Sequence, residues 1–82
     1  MTRHDLLLAR LRDTRRSFTW RDLDTLLGRL GYQRTEGRGS RVRFCNGNPA
    51  ALICLHRPHP GNELKLYARR QILAALTAGE LI

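Results

Sequence analysis

Two histidines, His56 and His59, and two arginines alternating with apolar residues in Arg41-Val42-Arg43-Phe44 are the side chains of this sequence best suited to chemistry. Imidazole can give or take a proton near neutral pH. Guanidinium presents a planar fork of donors that grips a phosphate with two hydrogen bonds. Together they suit proton transfer beside a phosphate, which points to a small RNA-handling domain. The sequence frames them with a glycine-rich turn, Gly37-Arg38-Gly39-Ser40, and a stiff segment, Leu55-His56-Arg57-Pro58-His59-Pro60-Gly61. His59, between prolines, would be held with little loss of entropy, and His56 falls at the end of an expected strand. Each also has a bland reading as a hydrogen-bonding surface histidine. His4, in the first turn of an expected helix with no evident partner, has only the bland one.

The composition limits who the partner can be. Eighty-two residues can form one compact domain with a modest core, so any site must lie on its surface. The expected organisation is a single unit over 1–82, with an N-terminal helical extension at 1–16 and a core at 18–82. Lys plus Arg number 15 against 7 Asp plus Glu, a net charge of +8, and Lys65 is the only lysine. The arginine preference can reflect genomic base composition. The net charge still calls for a polyanion or an acidic protein as partner. Cys45 and Cys54 cannot make a disulfide framework, and small buried or half-buried hairpin cysteines are expected. No leading basic and apolar segment marks export, and the longest wholly apolar stretch, Ala50 to Leu55, is too short to span a bilayer. A cytoplasmic protein without a cofactor is expected.

Glycine and proline punctuate the chain into six short elements. Leu7, Leu8 and Leu11 predict a first amphipathic helix over about Arg3 to Arg15. Phe18-Thr19-Trp20-Arg21-Asp22-Leu23 reads as a helix start, with Thr19 and Asp22 as a capping box and Phe18 and Leu23 as a staple. Leu23, Leu26, Leu27 and Leu30 continue that helix to Gly31, which is suited to the left-handed conformation after a helix end. Three strands follow: Tyr32 to Thr35, Arg41 to Cys45 and Ala51 to His56, the last two joined by a turn at Asn46-Gly47-Asn48-Pro49. A final helix is expected from Glu63 to Ala78, with Ala68, Ile72, Ala75 and Leu76 on its apolar face. The predicted fold is a small α+β domain, α-α-β-β-β-α, with a three-stranded antiparallel sheet packed on helices on one face.

If Gly47-Asn48 forms the tip of the second turn, Val42 lies opposite Ile53 and Phe44 opposite Ala51. Side chains alternate across a strand, so Arg41, Arg43, Cys54 and His56 collect on the other face. That face is basic. Trp20 and Tyr32 are assigned to packing rather than to base stacking. Lys65, Arg69 and Arg70, at helical spacing, either track a nucleic-acid backbone or form the solvated side of the last helix.

The order of these segments carries a likeness to a known family. Leu30-Gly31-Tyr32 ending a helix, Gly39-Ser40 entering a strand, and Pro58-His59-Pro60-Gly61 followed by Glu63-Leu64-Lys65 and a closing helix resemble the HicA toxins of bacterial toxin-antitoxin pairs. The resemblance runs over roughly Phe18 to Ile82. It implies a fold similar to double-stranded RNA-binding domains, an mRNA-cleaving activity that needs no metal, and neutralisation by a HicB-like antitoxin lying over the basic face. HicA toxins usually carry a catalytic histidine directly after the Gly-Ser or one residue later. Here those positions hold Arg41 and Val42, so that residue cannot be carried over.

Metal-free RNA cleavage requires a base for the 2′-hydroxyl, an acid for the leaving oxygen and positive charge around the phosphate. His56 and His59 are the candidates for the proton steps. Arg41, Arg43, Arg38, Arg57 and Lys65 are the candidates for nucleic-acid contact. A zinc site built from Cys45, Cys54, His56 and His59 lacks the paired close spacing of a zinc finger and is not expected. Gly37 to Ser40 leads into a strand and lacks the Lys-Ser/Thr of a P-loop, which leaves a tight turn. A HicA-like endoribonuclease toxin is therefore the leading reading. A non-catalytic RNA-binding module, or a protein-interaction domain using the basic face, are the alternatives.

Overall fold

The structure, a computed structural model, describes the backbone of residues 3–82 and the side chains from Asp5 onward. The side chain of His4 therefore lies outside the described residues. Three α-helices, α1 (Arg3–Arg12), α2 (Trp20–Arg29) and α3 (Leu66–Ala78), and three strands, β1 (Gln33–Glu36), β2 (Arg41–Cys45) and β3 (Ile53–His56), occur in the order α1-α2-β1-β2-β3-α3. The strands form one antiparallel sheet in the order β1-β2-β3. This is the expected α+β layout, and it is compatible with a double-stranded RNA-binding type of fold.

Local chemistry accounts for α2. Thr19 accepts from the Asp22 backbone N–H at 3.1 Å, while the Asp22 carboxylate accepts from the Thr19 backbone N–H at 3.0 Å. Both bonds satisfy donors that a helix start leaves open. Leu23, Leu26 and Leu27 are then buried on one face, and Gly31 takes a φ of 84° just beyond the helix end. A second anchor joins this start to a distant segment. The Trp20 N–H donates to the Asn62 carbonyl at 2.7 Å and the Leu64 N–H to the Phe18 carbonyl at 2.9 Å, around a Thr19–Glu63 bridge. Residues 62–64 are thus spent on strand-like pairing, and Lys65 follows in extended conformation as the residue before the helix. For that reason α3 begins at Leu66 and not at Glu63 as the periodicity predicts.

The second hairpin also departs from expectation. Asn48 accepts from the Ala50 N–H at 3.0 Å, and Pro49–Ala51 forms a 3-10 turn, so β3 begins only at Ile53. Phe44 consequently pairs with Ile53 and Val42 with Leu55, a register displaced by two residues. An even displacement leaves the faces unchanged. Val42, Phe44, Ile53 and Leu55 are buried against the helices, while Arg41, Arg43, Cys54 and His56 are exposed on the open face. The outer edge of β3 is partly covered by α3, whose Gln71 side chain donates to the Cys54 carbonyl at 2.9 Å.

The core gathers Leu7 and Leu11 of α1, the leucines of α2, the inward side of the sheet, and Ala68, Ile72 and Leu76 of α3. Trp20 and Tyr32 are buried, as expected. The Trp20 ring packs 5.7 Å from that of Phe44, and the Tyr32 hydroxyl donates to the Ala51 carbonyl at 2.7 Å. Burial, with a smaller contribution from nearby Cys45, holds the Tyr32 hydroxyl pKa above the ordinary tyrosine value.

Arg69 departs from both expectations for it, a contact tracking a nucleic-acid backbone and a place on the solvated side of the last helix. It is only 4% exposed. Its guanidinium donates to the carbonyls of Arg10, Leu11, Asp13 and Arg16 at 2.6 to 3.3 Å and lies over the Phe18 ring. Helix α1 ends there, and carbonyls at a helix C-terminus lack intrahelical donors. One buried cation satisfies them and favours the negative end of the helix dipole. Arg69 is therefore the bolt that holds α1 to α3. Its neighbour Arg70 is exposed.

Candidate nucleic-acid interface

The open side of the sheet is set by strand pairing. Across it Arg41 pairs with His56, Arg43 with Cys54, and Thr35 with Arg43. All of these side chains are exposed, and all lie on the face away from the buried residues of β2 and β3. Both cysteines are exposed as well, which corrects the expectation of buried or half-buried thiols. Among the described residues no group of three or more His, Cys, Asp or Glu side chains is arranged to hold a metal ion.

The glycine-rich turn brings Ser40 to one end of this face. The Gly37 N–H donates to the Arg41 carbonyl at 2.9 Å and the Arg41 N–H to the Arg38 carbonyl at 3.2 Å, with Gly39 at a φ of 62°. Only glycine takes that conformation at little cost. Next in line, the Ser40 carbonyl accepts from the Arg57 N–H at 2.7 Å. Ser40 Oγ stands 3.4 Å from His56 Nδ1. Arg38 is exposed in the turn itself.

Beyond β3 the chain leaves the sheet and forms a groove of about 340 Å³ against the start of α3. His56, Arg57 and His59 line one side, Lys65 and Tyr67 the other. The two histidines therefore share a groove, and His56 also belongs to the open face through its pairing with Arg41. Lys65 is the residue before α3 and makes no side-chain cap, since an ammonium has no acceptor to offer the helix N–H groups. Arg57 is the least free of the candidate contacts. It faces the helix side of the sheet, 3.6 Å from a Glu36 carboxylate oxygen and 5.4 Å from the Trp20 ring centre.

Tyr67 and Ser40 are the residues that the sequence reading missed. Tyr67 is 67% exposed, the most exposed large apolar side chain among the described residues. It falls off the Ala68, Ile72, Leu76 stripe, which is a signal readable from spacing alone. The larger groove between α1 and α2, about 500 Å³, contains no histidine, and its one carboxylate, Asp22, is engaged in the capping box.

Residues 20–77 match the family model described as the HicA toxin of bacterial toxin-antitoxin. The chain belongs to the HicA toxin family. No curated protein and no solved structure matches it. The HicA match begins at the first residue of α2 and ends within the last turn of α3. It takes in the whole sheet, the Gly37–Ser40 turn and the histidine groove, and leaves α1 outside. Membership sets this chain in a toxin-antitoxin context. Among the described residues, no helix is long and apolar enough to cross a membrane.

Proposed function

We propose that this HicA-family protein binds RNA across the open face of its sheet and cleaves it without a metal, using His56 and His59 for proton transfer. The observation that carries the reading is the junction at His56, which pairs with Arg41 across the strands, contacts Ser40 and shares a groove with His59. Arg41, Arg43 and Arg38 hold phosphates along the face, and Lys65 holds one at the groove. Arg57 contributes charge at the groove wall.

In this chemistry one histidine removes the proton of a ribose 2′-hydroxyl, and that oxygen bonds to the adjacent phosphorus. The P–O5′ bond breaks, and the second histidine protonates the departing 5′-oxygen. The products are a 2′,3′-cyclic phosphate and a 5′-hydroxyl, so atoms and charge balance with no further reactant. Arginine stabilises the extra negative charge on the phosphorane. A HicB-like antitoxin with an acidic surface would inhibit by covering the same face.

Incubation of the purified protein with end-labelled RNA in chelator tests this directly. The expected result is cleavage with cyclic-phosphate ends, lost in His56→Ala plus His59→Ala. Undiminished cleavage by that double variant would remove both histidines from the site. A second reading has its own support, because Arg41 follows Gly39-Ser40 where the resemblance leads one to look for histidine. On that reading the face binds RNA with steep salt dependence and releases it intact.

A further inference from the structure

The groove beside the histidines has a composition that phosphate binding does not explain. Lys65 and the histidines suit a polyanion, yet Pro58, Leu64 and Ala68 give the groove apolar wall, and Glu63 adds a negative charge. A wall of that kind suits the flat, partly apolar body of a base, with its edge donors near a carboxylate. Tyr67 stands on it with 67% of its surface exposed. Aromatic rings that receive bases must be accessible on one side, and each stacked base is worth about 1–3 kcal/mol. A base inside a duplex has both faces covered by its stacked neighbours and its edge held by its complement, so a base that stacks on a protein ring in a groove must first be free of both.

We propose that this groove is a subsite for one unpaired nucleobase, stacked on Tyr67, with the adjoining phosphate held by Lys65 within reach of His56 and His59. The inference rests on the RNA reading above and deepens it: the substrate is single-stranded RNA, even though the layout resembles domains that take duplexes. The open face supplies sequence-independent phosphate contacts, and the groove selects for an unstacked nucleotide beside the histidines.

The test uses the full chain, a short labelled RNA of mixed sequence without self-complementarity, and the same strand annealed to its complement, in chelator at low salt. With the histidines replaced by alanine to prevent turnover, the single strand is expected to bind more tightly than the duplex. Tyr67→Ala then weakens single-strand binding about tenfold, Tyr67→Phe retains it, and duplex binding moves far less. Replacing one nucleotide at a time by an abasic residue should find a position whose loss weakens binding to the Tyr67 protein but not to Tyr67→Ala. Equal affinity of the Tyr67 and Tyr67→Ala proteins for the single strand, or equal weakening for both RNAs, overturns the subsite and leaves RNA binding intact. Absence of binding to either RNA overturns the RNA reading and the subsite together. Tyr67 is exposed, so a thermal melt that coincides with that of the parent shows that the fold is retained.

Discussion

Ser40 Oγ and His56 Nδ1 lie 3.4 Å apart, although the residues are 16 positions apart in the chain. The contact spans from the turn before β2 to the end of β3 and engages one ring nitrogen, Nδ1; in the proposed cleavage Nε2 is the nitrogen that exchanges a proton with substrate. Ser40 is on this view a positioning residue. Ser40→Ala is expected to lower the single-turnover cleavage rate about fivefold with little change in RNA affinity, the effect of losing one ordinary hydrogen bond. His56→Ala should cost about 10²–10⁴-fold in the same rate. Comparable losses in both variants would make Ser40 more than an orienting group.

Arg43 and Arg57 should behave differently in salt. Arg43 stands on the open face beside Thr35 and Cys54, whereas Arg57 is held between Glu36 and Trp20. Arg43→Gln is expected to make the plot of log affinity against log salt shallower by about 1, as for loss of one phosphate contact. Arg57→Gln should change that slope by less than half as much, read by fluorescence anisotropy over a salt series.

Arg69 is expected to matter for stability and not for RNA. Arg69→Met removes the side-chain donor of the Leu11 and Arg16 carbonyls and a second donor from those of Arg10 and Asp13, and should cost about 3 kcal/mol in urea unfolding. Arg69→Lys should recover only part, because an ammonium cannot span carbonyls that the planar guanidinium reaches together. Arg70→Met, on the exposed side of the same helix, should stay within about 0.5 kcal/mol.

These contrasts show where sequence reasoning has purchase. The Thr19–Asp22 box and the leucine spacing of α2 are interactions within a few residues, so they are written locally and appear as expected. The two faces of the sheet follow from alternation, which the hairpin preserved even though Asn48 and Pro49 built a 3-10 turn and slid the register. Cys54 was already on the exposed parity. Arg69 lies three residues before Ile72 and seven before Leu76, so helical spacing sets it beside the apolar stripe and sets Arg70 on the opposite side. What spacing does not supply is the partner that satisfies a buried guanidinium, which is the end of α1, 58 residues away in the chain. The groove joining His56, His59 and Tyr67 needed the pairing of residues 62–64 with 18–20, another long-range event.

Two glycines should respond to alanine with opposite signs. A Cβ on Gly79 would sit 2.6 Å from that of Ala51, which is fully buried. Gly79→Ala must push α3 off the 3-10 turn and should destabilise by about 1–3 kcal/mol. Gly28 lies within α2, where an added Cβ meets nothing within 4 Å. Gly28→Ala should stabilise by about 0.5–1 kcal/mol through helix propensity and a less flexible unfolded chain. Chemical denaturation of both variants checks the pair.

The exposure of Cys45 and Cys54 gives the molecule built-in reporters. Both thiols stand on the sheet's exposed side, and Cys54 is directly across from Arg43. Whatever lies along that side, nucleic acid or protein, shields sulfur from an alkylating reagent, and the two sites report on different lanes of the sheet. The native chain can therefore be footprinted without a label or an engineered residue.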